Sequence, residues 1–352
     1  MNLTVLNVGY SMAKVGPDSV GGAEQVLAQI DRALVLRGHR SLVVALEGSS
    51  VSGVLLPTPK VDGPLDSEEG RQEYKNHRLA IETALSKWWV DLIHMHGIDF
   101  HEYIPYQTAV PILVTLHLPP SWYPPEVFSN RPDNIHYHCV SATQQRLVPP
   151  GTRLLPVIEN GVNIDDFPPL YRKRNYVAAL GRICPEKGFH IAIDAAKHAG
   201  YPMLLAGEVY RHATHEEYFK REIIPRLDGS RRFIGPIGQV KKRHMLASAQ
   251  CLLVPSLAAE TSSLVAMEAL ASGTPVVAFS AGALPEIIEH GRTGFIVNDS
   301  QEMAETIQKT HLLDPEECRS AAQKRFSFDH TMDRYLELYR QLTAGESLSQ
   351  FQ

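Results

Sequence analysis

Two acids stand eight positions apart in the stretch Pro255 to Glu286, PSLAAETSSLVAMEALASGTPVVAFSAGALPE. Glu260 and Glu268 flank the point where a helix should begin, marked by Thr261, Ser262 and Ser263, and Ser272-Gly273 leads from that helix into an apolar strand, Thr274 to Ser280. A helix N-terminus gathers unpaired backbone N–H groups and a partial positive charge, so it is a natural seat for a phosphate. Carboxylates beside such a seat suit hydroxyl groups on either side of the phosphate. A ligand carrying a sugar, a diphosphate and a ribose in a row meets that demand. Glu268 lies inside the apolar run Val265–Leu270, and a buried carboxylate is costly unless it is paired or hydrogen-bonded. It therefore requires a polar partner, and a ribose diol is one.

A second cluster opens the other half of the same demand. The strand Tyr176–Leu180 runs into Gly181-Arg182 and then Pro185-Glu186-Lys187-Gly188. Such a strand end places Arg182 at the carboxyl edge of a sheet, where open α/β sheets bind ligands. A guanidinium grips phosphate oxygens by its fork and an ammonium adds a compact charge. An isolated Arg/Lys pair is ordinarily a solvated turn; the helix seat downstream gives Arg182 and Lys187 a common purpose. In the N-terminal region, Gly21-Gly22 opens a helix after the first strand and would allow close backbone approach to a ligand. His117 ends the strand Ile112–Leu116 at the same kind of edge. His94, His96 and His101 invite a metal, but no carboxylate or spacing completes a site, so no metal is expected. The run Lys241-Lys242-Arg243 reads as a solvated helix face.

These residues must be positioned by elements that alternate along the whole chain. Short apolar runs at 3–8, 41–46, 92–96, 112–116 and 136–141 read as strands, with helices at 23–37 and 79–88 between them. The pattern restarts with strands at 176–180, 203–206, 252–255 and 275–279 and helices at 190–198 and 241–249. Such alternation implies parallel sheets covered on both faces. The Asn160-Gly161 turn and Pro168-Pro169 mark a junction, giving domains at 1–165 and 166–325 and a last helix at about 326–345. At 352 residues two domains are the natural count. The formal net charge of −5 argues against a general nucleic-acid binder. That charge sits in residues 1–165, which carry 12 Lys and Arg against 17 Asp and Glu; the remainder is balanced at 22 each. The four cysteines are widely separated, as in a reduced cytoplasmic protein and unlike a disulfide scaffold. No apolar tract is long and unbroken enough to span a membrane, and the tail from Gly345 should fray.

The whole motif set resembles family 4 retaining glycosyltransferases. It comprises Gly21-Gly22, Thr115-Leu116-His117, Asn160-Gly161-Val162, Gly181-Arg182 with Lys187-Gly188, Glu260-x7-Glu268, Gly273-Thr-Pro-Val-Val277 and His290-Gly291-x-Thr293-Gly294. The resemblance implies the GT-B fold: two tandem Rossmann-like domains facing across an interdomain cleft, with the last helix crossing back to the first. It implies that Arg182 and Lys187 hold the donor diphosphate, that Glu260 binds donor-sugar hydroxyls, and that Glu268 binds the ribose. Backbone N–H groups of Leu264 and Val265, with Gly22, would meet the phosphates, Ile237 would flank the base, and His117 would lie near the transferred sugar. The family usually has Gly-Phe-Gly after the first Glu where this chain has Thr261-Ser262-Ser263, which opens the choice of sugar. The implied activity is transfer of a hexosyl group, with retention, from a nucleotide-diphosphate sugar, UDP foremost, to a small-molecule, saccharide or lipid-linked acceptor. No cofactor or metal is called for, since the chain has no Asp-x-Asp triplet. The rival expectations are a nucleotide-sugar epimerase of the same fold and a non-catalytic partner; self-association is left open.

Overall fold

In a computed structural model the chain is described at residues 2–60, 68–105, 107–129 and 132–345. Of the tail expected to fray from Gly345, residues 346–352 lie outside the described residues. Among the described residues the strands form two six-stranded, wholly parallel sheets. By contacts the chain divides into two units, the first made of residues up to Glu159 and from Thr331 on, the second running from Asn160 to His330.

The first sheet contains β1 (Thr4–Val8), β2 (Arg40–Leu46), β3 (Val54–Thr58), β4 (Leu92–Met95), β5 (Ile112–Leu116) and β6 (Ile135–Cys139), in the order β3-β2-β1-β4-β5-β6. The second contains β7 (Val177–Leu180), β8 (Met203–Ala206), β9 (Arg231–Phe233), β10 (Cys251–Val254), β11 (Val276–Phe279) and β12 (Gly294–Val297), in the order β12-β11-β10-β7-β8-β9. Both are doubly wound, and each reverses direction between its first and fourth strands. The crevice beyond the carboxyl ends at that reversal is where such sheets take ligands. In the second unit it lies between the ends of β7 and β10.

Parallel strands buried on both faces need apolar side chains on both faces, and the second sheet has them. Ala178, Leu252, Val254, Val276 and Ala278 pack on one side, with Leu270 and Phe326. Val177, Ala179, Cys251, Leu253 and Val277 pack on the other, with Phe189 and Met303. The strands at three sheet edges, β3, β9 and β12, are absent from the sequence reading. β3 carries Pro57, β9 begins Arg231-Arg232, and β12 is four residues opening on a glycine.

The first sheet departs from this rule. One face is apolar, with Leu6, Val8, Val44, Met95, Val114 and Leu116 in one cluster. The opposite face of β1, β4, β5 and β6 carries Asn7, His94, Thr115 and His138, all fully buried. Helix Phe328–Ala344, which enters the first unit at Thr331, brings Tyr335 and Tyr339 to that face. The Tyr339 hydroxyl lies 2.7 Å from His94 Nδ1, His94 Nε2 lies 2.7 Å from Thr115 Oγ1, and Thr115 Oγ1 lies 2.6 Å from His138 Nε2. His138 Nδ1 sits 3.1 Å from the Cys139 carbonyl. That carbonyl can only accept, which fixes the first link, and with both histidines neutral the direction of every other link follows. His138 donates from Nδ1, Thr115 donates to His138, His94 donates from Nε2, and Tyr339 donates to His94. Each ring nitrogen in this row is then one donor or one acceptor.

Burial pushes His77 and His138 down to about 4 and His117 to about 3, and holds His94 and His96 well below the usual histidine value. In the unfolded chain each titrates near 6.5. The unfolded state therefore binds more protons below that pH. The stability gained by staying neutral is complete above about 6.5 and is lost as the pH falls through that value toward about 4. We predict a urea midpoint that is steady above about pH 7 and drops steeply below about pH 6.5. A midpoint unchanged down to about pH 5 would contradict the neutral array.

Candidate functional site

The second unit brings the two chemistry-bearing segments of the sequence into contact. After β7 the chain passes Gly181 and Arg182 into a single 3-10 turn, Pro185–Lys187, that ends at Gly188 with φ +63°. The carbonyl of Glu186 accepts the N–H of Leu257 at 2.8 Å. A Cβ at Gly188 would fall 2.2 Å from the Pro255 carbonyl oxygen, so only glycine permits this approach. The turn after β7 is thereby laced to the loop after β10. Lys187 Nζ then donates to Glu260 Oε1 at 2.6 Å, and Ser256 Oγ donates to the same oxygen.

Glu260 is held from its other side as well. Its carbonyl accepts the N–H of Ala283 at 2.7 Å, and it forms an isolated parallel bridge with Gly282, whose φ is +62°. A Cβ on Gly282 would lie 2.2 Å from the Glu260 oxygen. The carboxylate therefore projects from backbone fixed by the loops after β10 and β11.

Helix Leu264–Ala271 follows, with Leu264 and Val265 as its first two residues. Ser263 stands at the N-cap but makes no side-chain cap bond, and Ser262 Oγ is buried with no partner among the described residues. The helix ends at Gly273, φ +66°, where the N–H of Thr274 reaches the Ala269 carbonyl and that of Gly273 the Leu270 carbonyl, a Schellman ending. Arg182 places its guanidinium 5.7 Å from the Tyr210 ring centroid, and its Nε is likewise buried without a partner among the described residues. Buried polar atoms left unpaired are uncommon in folded proteins, and two of them fall in the two segments read as phosphate-binding. Ile237, in the loop after β9, is partly buried against the core.

Glu268 is 5% exposed and does have a polar partner within the chain. Lys242 Nζ donates to its Oε1 at 2.5 Å, from helix Gln239–Ser248. Burial pushes the Glu268 carboxyl up, and Lys242 pulls against that rise. The expectation of a solvated Lys241–Arg243 face is corrected here: Lys242 is 7% exposed, and Arg243 pairs with Asp166 at 2.9 Å. The signal was in the spacing. Lys242 precedes the buried Met245 and Leu246 by three and four residues, which puts all three on one helix face.

In the first unit, Gly22 is the exposed first residue of helix Gly22–Leu36, with Gly21 at the N-cap. His117 stands just beyond β5 and is 9% exposed; its Nε2 lies 3.0 Å from His96 Nδ1. At the ends of β1 and β4, Ser11 Oγ and the Tyr103 hydroxyl donate to the two oxygens of buried Asp99 at 2.5 and 2.7 Å. The sequence reading passed over both Asp99 and the His96 contact. His94, His96 and His101 form no metal-ligating group among the described residues. The group that does is Cys184, Glu186 and His215, whose ligand atoms lie within 4.8 Å of one another. The Arg182 guanidinium, a cation of the protein's own, interacts electrostatically with all three.

Residues 174–311 match the family described as Glycosyl transferases group 1. Among curated proteins, D-inositol 3-phosphate glycosyltransferase of Mycolicibacterium smegmatis (strain ATCC 700084 / mc(2)155) is 31% identical over 204 residues, 53% of this chain and 47% of that protein. The protein of the same name from Nocardioides sp. (strain ATCC BAA-499 / JS614) is 35% identical over 120 residues, 32% of this chain and 26% of that protein. Alpha-maltose-1-phosphate synthase of M. smegmatis is 29% identical over 238 residues, 60% of this chain and 58% of that protein. The match thus spans about half the length of these relatives or less in the first two cases, and under two thirds in the third. Among solved structures, sucrose-phosphate synthase (tll1590) from Thermosynechococcus elongatus aligns with a TM-score of 0.80 at 20% identity, over 98% of this chain and all of the other. AviGT4, a glycosyltransferase involved in avilamycin A biosynthesis, aligns with a TM-score of 0.73 at 22% identity, over 97% and 98%. At such identity these likenesses establish the fold, which is that of the two-sheet GT-B glycosyltransferase structures.

The Lys242–Glu268 pair makes a stability prediction. Removing one partner of a buried ion pair leaves an uncompensated charge and costs about 3 kcal/mol, whereas replacing both by apolar side chains is near neutral. Lys242→Met should therefore lower unfolding free energy by about 3 kcal/mol, and Lys242→Met with Glu268→Leu should recover most of it, read by urea denaturation.

Proposed function

We propose that this chain is a retaining, metal-independent glycosyltransferase that takes a hexosyl group from a nucleoside-diphosphate sugar, uridine diphosphate foremost, and passes it to an acceptor hydroxyl. The observation that carries this reading is the joining of Lys187 to Glu260 at the β7/β10 reversal, beside a helix N-terminus and Arg182. Cationic groups and an acid at one sheet edge are what a sugar diphosphate requires. Arg182, Lys187 and the N–H groups of Leu264 and Val265 are assigned to the diphosphate, where they would offset the charge that develops as it leaves. Glu260 is assigned to hydroxyls of the sugar, Glu268 to the ribose, and Ile237 to the base.

The family match over residues 174–311 supports this assignment. So do the matched relatives and structural neighbours, which are glycosyltransferases. One of them, Anabaena Alr3699/HepE, was solved in complex with UDP-glucose. In the first unit His117 is assigned to a hydroxyl of the transferred sugar and Gly22 to a phosphate, on the motif resemblance alone. In the step proposed, the bond from the anomeric carbon to the diphosphate oxygen breaks and the bond to the acceptor oxygen forms on the same face. The acceptor's proton passes to the departing phosphate oxygen. We place the protein in the cytoplasm, in keeping with four buried, unpaired cysteines. No helix among the described residues is long and apolar enough to cross a membrane.

The first test is thermal unfolding against a panel of nucleoside diphosphates and their sugars, with and without a chelator. A ligand that binds the folded state alone raises the melting temperature. The expected result is a chelator-insensitive shift with one nucleotide sugar. No shift with any of them would favour the non-catalytic partner, and a shift abolished by chelator would overturn metal independence. Arg182→Ala and Lys187→Ala should each lower turnover about 100-fold, with little change in the melting temperature of the free protein. Wild-type turnover in either variant would remove that residue from the site.

A further inference from the structure

We propose that His96 is a positioning residue for His117: it donates from Nδ1 to Nε2 of His117 and thereby fixes His117 as a neutral imidazole that carries its proton on Nδ1. The inference rests on the reading of this chain as a glycosyltransferase only for the part His117 plays with substrate.

The two rings lie almost parallel, 21° apart, with centroids 5.3 Å from each other, and His96 Nδ1 is 3.0 Å from His117 Nε2. One of these nitrogens must donate. His96 is 2% exposed, and its Nε2 is buried without a partner among the described residues. If that nitrogen bore the proton, a buried N–H would be left unpaired. A bare lone pair in the same place is the lesser cost, since orphaned N–H groups are the rarer of the two in folded proteins. The His96 proton therefore sits on Nδ1, aimed at His117. His117 Nε2 must accept, and a neutral His117 then bears its own proton on Nδ1. A protonated His117 would set one N–H against another across 3.0 Å.

The arrangement is locked from behind. The His94 ring packs against His96 at 4.0 Å between centroids, and His94 is fixed in its own tautomer by the hydrogen-bond chain from Tyr339 to the Cys139 carbonyl. Neither ring can turn without breaking that chain or the packing. His117 thus meets a substrate oxygen as an N–H donor that neither releases nor takes up a proton. Its contribution is orientation and hydrogen bonding, which act in the transition state through geometry.

The test reads the tautomer directly. Long-range ¹H–¹⁵N correlation on the histidine-labelled full chain separates protonated from bare ring nitrogens. In the wild-type protein His117 should show Nδ1 protonated and Nε2 bare, and His96 the same. In His96→Phe, which keeps a ring but no donor, His117 should lose this single tautomer. In His96→Asn, whose amide can present an N–H near the Nδ1 position, the tautomer should be retained. With the donor and acceptor identified, His96→Phe should lower kcat about 10-fold or more with KM for the nucleotide sugar unchanged, and His96→Asn should recover part of that loss. A wild-type His117 protonated on Nε2, or His96→Phe with wild-type kcat, overturns the proposal. If the wild-type spectrum shows the expected tautomer while no nucleotide sugar is ever bound, the pairing stands and the glycosyltransferase reading fails. Should His96→Phe not fold, the wild-type spectrum and His96→Asn decide.

Discussion

The second unit's site depends on one close approach, the 2.2 Å that a Cβ at Gly188 would leave to the Pro255 carbonyl. Because position 188 has no side chain, the turn after β7 can lie directly on the loop after β10, and the Glu186 carbonyl can take the Leu257 N–H. Lys187 then reaches Glu260 without spanning a gap. The same demand recurs one strand over, where a Cβ on Gly282 would strike the Glu260 backbone. Both glycines sit at φ near +60°, a conformation other residues adopt only at a cost. The backbone contacts thus bring the charged groups together, and the Lys187 and Glu260 side chains meet each other there.

At one place in each unit buried polarity is handled in opposite ways. In the second, a carboxylate inside an apolar helix is matched by an ammonium, Lys242 on Glu268. In the first, the polar face of the sheet carries no charge at all. Its histidines are each satisfied as one donor and one acceptor, in a row whose polarity is dictated by a single carbonyl. Pairing charges tolerates some movement in the partners. A row of neutral rings does not, because reversing any one link strands two donors or two acceptors.

Much of the fold was legible because central parallel strands are apolar on both faces, and runs such as Leu252–Val254 and Val276–Ala278 have no other reading. The edges were not. β3 contains a proline, β9 two arginines and β12 a leading glycine, which is how edge strands are commonly protected, and composition at an edge therefore imitates a loop. At the site, the segments around Lys187 and Glu260 were singled out by spacing, and the structure brings them together. The partner of Glu268 was missed because three consecutive basic residues suggest solvent, while only their phase relative to Met245 and Leu246 shows that the middle one points inward. The histidine row was equally hidden: His94, Thr115 and His138 come from three strands, and Tyr335 and Tyr339 from a helix nearly 200 residues further on.

That last distance has a consequence for how the chain is made. The first unit is discontinuous, ending at Glu159 and resuming at Thr331. As the protein emerges from a ribosome, all six strands of the first sheet are available long before the tyrosines that cover its histidine face. During that interval His94 Nδ1 lacks its hydroxyl partner, and the face is open to water. The second unit, continuous from Asn160 to His330, can complete its core while the first waits. The unit that begins the sequence is therefore the last to be finished, and its final closure falls to the helix that carries Tyr335 and Tyr339.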